Sequence, residues 1–112
     1  MIRFSRLLPV ALLGTCLVSV PVFAANIEQG RVKAEQVCAA CHGKDGNTPI
    51  DPSYQRLAGQ YKDFLERALL DYRSDARKNP IMGATAKQLT RDDVRNLAAY
   101  YASLPGGLSV KK

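Results

Sequence analysis

The sequence predicts an all-α domain built on three main helices, and three observations carry that reading. Apolar residues recur at helical spacing through Tyr61, Phe64, Leu65, Ala68, Leu69 and Tyr72, with charged residues on the opposite face. Helix start and stop signals bracket two further stretches, one near each end of the chain. No alternating run of useful length suggests a sheet. At 112 residues the chain holds one domain, with no internal repeat and no low-complexity segment.

Residues 1–24 stand apart from that domain. Arg3 and Arg6 make a short basic start, Leu7 to Val22 is almost wholly apolar, and Val22-Phe23-Ala24 places small residues at −3 and −1 of a cut before Ala25. This is the pattern of a secretory signal peptide cleaved after Ala24. An uncleaved anchor is the alternative, since the apolar stretch approaches the ~20 residues a bilayer requires; Pro9, Pro21 and the cleavage site favour removal. A lipid-modified Cys16 would follow Gly, Ala or Ser, and Thr15 stands there instead. Removing 24 of the 112 residues leaves a mature chain, 25–112, of 88, and losing Arg3 and Arg6 lowers the net charge from +6 to +4.

The first helix is expected from about Ile27 to Ala40, with Ile27, Ala34, Val37, Cys38 and Cys41 on one stripe and Gly43 as its stop. Residues 43–60 read as loop, with Pro49, Asp51-Pro52 and Gly59 as breakers. The second helix covers Tyr61 to Tyr72 and ends before Asn79-Pro80. Met82 then falls in a loop-like stretch, Asn79-Pro80-Ile81-Met82-Gly83, whose backbone Pro80 stiffens. The third helix starts at Thr90, whose hydroxyl can cap, with Asp92 and Asp93 at its positive end. It places Val94, Leu97, Ala98 and Tyr101 on one stripe until Leu104-Pro105-Gly106 stops it.

One His excludes multi-histidine metal centres and His-Glu-x-x-His proteases, and three Cys are too few for a disulfide-stapled miniprotein. The mild basic excess, with few aromatics free to stack on bases, gives no case for nucleic acid. An 88-residue domain is marginal on its own core and calls for a staple. A Cys38–Cys41 disulfide would close too short a loop to serve.

Cys38-Ala39-Ala40-Cys41-His42 supplies a better one. Two thiols three positions apart can form thioethers to the vinyl groups of a haem while the adjacent His42 meets the iron. Two other readings of the motif are weaker. A thiol-disulfide exchanger opens a helix with its Cys pair, so that the helix dipole stabilises the thiolate, whereas this pair closes one. A zinc site lacks a fourth ligand of the usual kind. The single haem leaves one axial position, and Met82 is the one Met of the mature chain. A lone Met is ordinarily a core filler; downstream of a haem motif and next to Pro80 it reads as the second axial ligand.

With these residues in place the chain resembles the class I c-type cytochromes across nearly all of its mature length. The order of N-terminal helix, Cys-x-x-Cys-His, Pro-bearing loop, middle helix, Met loop and C-terminal helix is the same. Leu57-Ala58-Gly59-Gln60 and Asn79-Pro80-Ile81-Met82 are similar to the bacterial periplasmic branch, including single domains of two-haem cytochromes. The resemblance implies the cytochrome c fold, three main helices around one covalent haem c held by Cys38 and Cys41, with His42 and Met82 on the iron. It also implies that Gly30, eight residues before Cys38, lets the last helix cross closely, against Leu97 and Tyr100. A Pro carbonyl, of Pro52 or Pro49, would accept the His42 Nδ1–H. Ala34 stands where many relatives have an aromatic residue.

The implied function is one-electron transfer in the periplasm, with no reaction catalysed by the chain itself. Apolar walls from Ile27, Val37, Leu57, Phe64, Leu65, Ile81 and Leu97, with the neutral thioether, would disfavour the ferric charge and raise the potential. Redox proteins of the periplasmic respiratory chain are the implied partners, with no stable membrane anchor. Lys44, Arg56, Lys62, Arg73, Arg77, Lys78 and Lys87 either steer an acidic partner to the haem edge or form a solvated face, since Asp63, Glu66, Asp71 and Asp75 interleave with them. The alternatives are a haem subunit of a larger dehydrogenase or oxidase, and a haem enzyme or gas sensor with a labile sixth ligand.

Overall fold

A computed structural model describes residues 9–11, 14–19 and 24–107 and forms five helices, with no strand among the described residues. They are α1 (Ile27–Val37), α2 (Ala39–His42), α3 (Lys62–Arg73), α4 (Pro80–Lys87) and α5 (Arg91–Ser103). The basic start and most of the cleavage motif of the expected leader lie outside the described residues. None of the described helices is long and apolar enough to cross a membrane.

Three of the helices, α1, α4 and α5, begin where a side chain satisfies free backbone N–H groups. The Asn26 side chain accepts from Gln29 N at 3.0 Å to open α1. Thr90 opens α5 through a full capping box: its hydroxyl accepts from Asp93 N, and the Asp93 carboxylate accepts from Thr90 N, each at 3.0 Å. Helix α1 stops at Cys38, and the next turn, α2, is wound on the Cys38 carbonyl, which accepts from Cys41 N and His42 N. The haem motif is therefore a separate turn and not the end of one continuous helix.

The segment around Met82 corrects the expectation of a loop. It is helix α4, because Asn79 acts as its N-cap, accepting from Ile81 N at 3.0 Å and Met82 N at 2.9 Å, and Pro80 occupies the first helical position. At that position a missing N–H costs nothing, since no intrahelical partner exists for it.

Helices α1 and α5 cross at Gly30. A Cβ there would stand 2.6 Å from the Asn96 carbonyl carbon and 2.8 Å from Tyr100 Cβ. The close crossing is as expected and Tyr100 is one partner, but the other contact is the Asn96 backbone and not Leu97, which points into the core instead. Around the crossing, Ala34, Leu65, Leu89, Val94, Leu97, Ala98 and Tyr101 form the buried cluster.

Residues 43–60 are loop, as expected, yet tightly tied. The Gly46 carbonyl accepts from Leu57 N at 2.8 Å and Ala58 N at 3.0 Å, and Gly59 N donates to Tyr101 O at 2.9 Å. Gly46 has φ +69° and the Tyr101 ring 3.0 Å from where a Cβ would be, so both the turn and the packing require glycine there.

A candidate haem site

The loop, α2, α3, α4 and α5 enclose a cleft of about 290 Å³. Cys38, Cys41 and His42 line it from the turn of α2, and Met82 lines it from α4. The four residues singled out by the sequence thus meet at one cavity, although Met82 lies 40 positions beyond His42 in the chain.

His42 is held by one strong contact. Its Nδ1 lies 2.7 Å from the Gln55 carbonyl oxygen. A carbonyl can only accept, so Nδ1 carries the proton and Nε2 keeps its lone pair for a metal. This replaces the expected Pro52 or Pro49 carbonyl with that of Gln55. The reason is register: the bonds of Leu57 and Ala58 to Gly46 bring the chain just before them, and not the Asp51-Pro52 turn, against the ring. A backbone carbonyl carries no residue-type signal, so only loop geometry could have identified it.

The two thiols are free and partly buried. Burial pushes the Cys38 thiol up to about 11, an effect that the Tyr101 hydroxyl beside it only partly opposes. A thiol-disulfide exchanger needs the opposite shift, toward thiolate. No group of three His, Cys, Asp or Glu that could hold a metal ion exists among the described residues.

Val37, Leu57, Phe64, Leu65, Ile81 and Leu97 line the cleft as expected. Ile27 does not; it sits half-exposed at the first position of α1. Of the basic residues, Arg56 and Arg77 line the cleft, whereas Lys62 pairs with Glu66 at 3.6 Å and Lys87 with Asp75 at 2.8 Å. Among the described residues no Asp or Glu lines the cleft. Two thiols, an imidazole with a free Nε2, a thioether and apolar walls are together the donor set and surroundings that a covalently attached haem requires.

The sequence model of the cytochrome c family matches residues 27–105. Cytochrome c4 from Thiocapsa roseopersicina is 41% identical over 78 residues, covering 70% of this chain and 40% of the relative. The cytochrome subunit of sulfide dehydrogenase from Chlorobaculum tepidum is 35% identical over 68 residues, covering 60% of this chain and 59% of the relative. Among solved structures, reduced recombinant cytochrome c4 from Pseudomonas stutzeri superposes with a TM-score of 0.69 at 33% identity, covering 76% of this chain and 48% of that one. The chain therefore spans about half the length, or less, of the cytochrome c4 relatives it matches.

Proposed function

Because the chain belongs to the cytochrome c family, we propose that it is a periplasmic one-electron carrier, with haem c bound through Cys38 and Cys41 and held axially by His42 and Met82. Haem c, when bound, supplies an iron that changes by a single electron. Everything else falls to the chain. The observation that carries the reading is the His42 ring, fixed by Gln55 O at 2.7 Å with Nε2 left to the cleft that Met82 also lines.

Each residue has a distinct task. The Gln55 carbonyl orients the imidazole and raises its basicity. Asn79 caps the turn that presents Met82, binding the Met82 amide itself. Phe64, Leu65, Ile81 and Leu97 exclude water and disfavour added positive charge, which raises the reduction potential. Were His42 and Met82 both to hold the metal, no position would be left for a substrate, and the chain would transfer electrons without catalysing a reaction by itself. Export follows from a leader removed after Ala24.

The second reading is a haem subunit of a larger dehydrogenase, favoured by the 35% identity to the cytochrome subunit of sulfide dehydrogenase. It shares the site chemistry and differs in whether the chain diffuses freely. A host that matures c-type cytochromes should yield a band that stains for haem on a denaturing gel and a spectrum with the ferric Met-to-iron band in the near infrared. A colourless band refutes the proposal. Size exclusion of the native periplasmic fraction separates a free carrier, eluting alone, from a subunit eluting with a partner.

A further inference from the structure

The loop over residues 43–60 is bound to the end of α5 by a side chain that the reading of the cleft leaves unused. Asn47, half-buried, meets the backbone just past α5 with both halves of its amide: Nδ2 donates to Pro105 O at 3.0 Å, and Oδ1 accepts from Gly107 N at 3.4 Å. A carboxamide offers a donor and an acceptor side by side, which a carboxylate cannot. The same two stretches of chain approach closely elsewhere. A Cβ on Gly59 would stand 2.7 Å from Gly106 Cα, and Gly59 N donates to Tyr101 O at 2.9 Å.

The same loop holds His42. Asn47 follows Gly46, whose carbonyl accepts from Leu57 N at 2.8 Å and Ala58 N at 3.0 Å, and Gln55 stands two residues before Leu57. The Asn47 backbone N–H has a local partner, Asp45 Oδ1 at 2.8 Å, so its side-chain amide is free to span to the helix end. The acceptor of the His42 Nδ1–H is thus braced from α5, through Asn47 to Gly46, Gly46 to Leu57, and Leu57 to the Gln55 carbonyl, 2.7 Å from the ring. Loops open more readily than the elements they join. A hydrogen bond to a loop carbonyl therefore persists only as well as the loop is held.

We propose that Asn47 is a positioning residue for His42: its amide clasps the loop to the end of α5 and so keeps the Gln55 carbonyl on the His42 Nδ1–H. This rests on the haem reading and deepens it, because a carbonyl held on Nδ1–H makes Nε2 a stronger donor and favours the higher charge on a metal. Two hydrogen bonds of ordinary net strength shift a local opening equilibrium by about tenfold. A clasp that served only the segment past α5 would leave His42 indifferent to residue 47.

The test compares wild type, Asn47→Ala and Asn47→Asp as full-length chains matured with haem, once a haem-stained denaturing gel has established attachment. In the reduced protein, NMR follows exchange of the His42 Nδ1–H with solvent. Asn47→Ala should speed that exchange by about tenfold. The amides of Leu57 and Ala58 should quicken with it, while the Gly30 amide, at the crossing of α1 and α5, keeps its wild-type rate. Asn47→Asp retains an acceptor for Gly107 N but sets another acceptor against Pro105 O, so it should protect the ring no better than Ala. In both variants the reduction potential should rise, since a carbonyl less firmly held lends Nε2 less basicity.

Nδ1–H exchange in Asn47→Ala within about twofold of wild type overturns the proposal. So does an acceleration shared equally by the Gly30 amide, which is a general loosening of the fold, or a wild-type ring proton too labile to follow. Should Asn47→Ala fail to attach haem, Asn47→Ser, whose hydroxyl cannot make both bonds at once, is read by the same criteria. A wild-type band without haem stain refutes the haem reading itself and is recorded before any exchange is measured.

Discussion

Two atoms of one ring fit His42 to hold a metal. Its Nδ1–H donates to Gln55 O at 2.7 Å, and that bond makes Nε2 the basic nitrogen. Met82 has no such neighbour to define it, only its position in the same cleft, so its role is the more informative one to test. Replacing Met82 with Ala removes the one thioether lining the cleft. The potential should drop, the near-infrared ferric band should vanish, and the ferrous protein should gain carbon monoxide binding. A variant with the wild-type potential and no affinity for carbon monoxide would show that another group holds the sixth position. At this scale the candidate site was legible wherever a side chain marks it: Cys38, Cys41, His42 and Met82, the residues the haem reading selects, meet in one cavity. The acceptor for Nδ1 was not legible, because a carbonyl is common to every residue and only the fold of residues 43–60 selects Gln55.

Helix α4 shows how one punctuation mark can be read two ways. Pro80 and Gly83 suggested a loop, yet Asn79 followed by Pro80 is also how a helix starts, and eight residues of helix follow. The strong apolar period of α3 and the Thr90 start signal of α5 left no such ambiguity, and both helices lie where their patterns put them. The Asn79 cap binds the amide of Met82 itself, so it should matter to the ligand as well as to the helix. Asn79→Ala should cost about 1 kcal/mol of stability, measured by denaturant unfolding of the haem-loaded protein, while Asn79→Ser keeps most of it. Equal midpoints for all three proteins would mean that the cap contributes nothing. The α1 and α5 crossing offers a larger effect. Gly30→Ala gains up to about 1 kcal/mol in helix propensity but sets a methyl group 2.6 Å from the Asn96 carbonyl carbon, where rigid backbone must give way. Overpacking of this kind costs about 1–3 kcal/mol, so the variant should unfold at lower denaturant. A stabilised variant would show that the helices can separate without penalty.

Across the whole molecule the core is small for the surface it must organise. Among the described residues only Leu97 and Val94 are large side chains buried essentially completely, and several other core positions are alanines, Ala34, Ala58, Ala86 and Ala98. Part of the other apolar mass lines the cleft: Phe64 is 52% exposed and Ile81 56%. Those two and their neighbours can contribute to stability only when something apolar covers them, at roughly 25 cal/mol per Å² covered. For the 88-residue domain that removal of the leader would leave, that contribution weighs heavily beside a small core. The covalent attachment also makes the stabilisation independent of free haem concentration, unlike that of a dissociable ligand. Fold and function should therefore fail together. Replacing Cys38 and Cys41 with Ala should abolish haem staining and, in the same protein, remove most of the far-ultraviolet helical signal and the cooperative thermal transition. Retention of a wild-type transition by the haem-free chain would mean that the protein core suffices, with the cleft as a preformed receptor. Loss of both signals would make haem attachment the step that completes folding, so that a chain exported without it never presents Met82 to a metal at all.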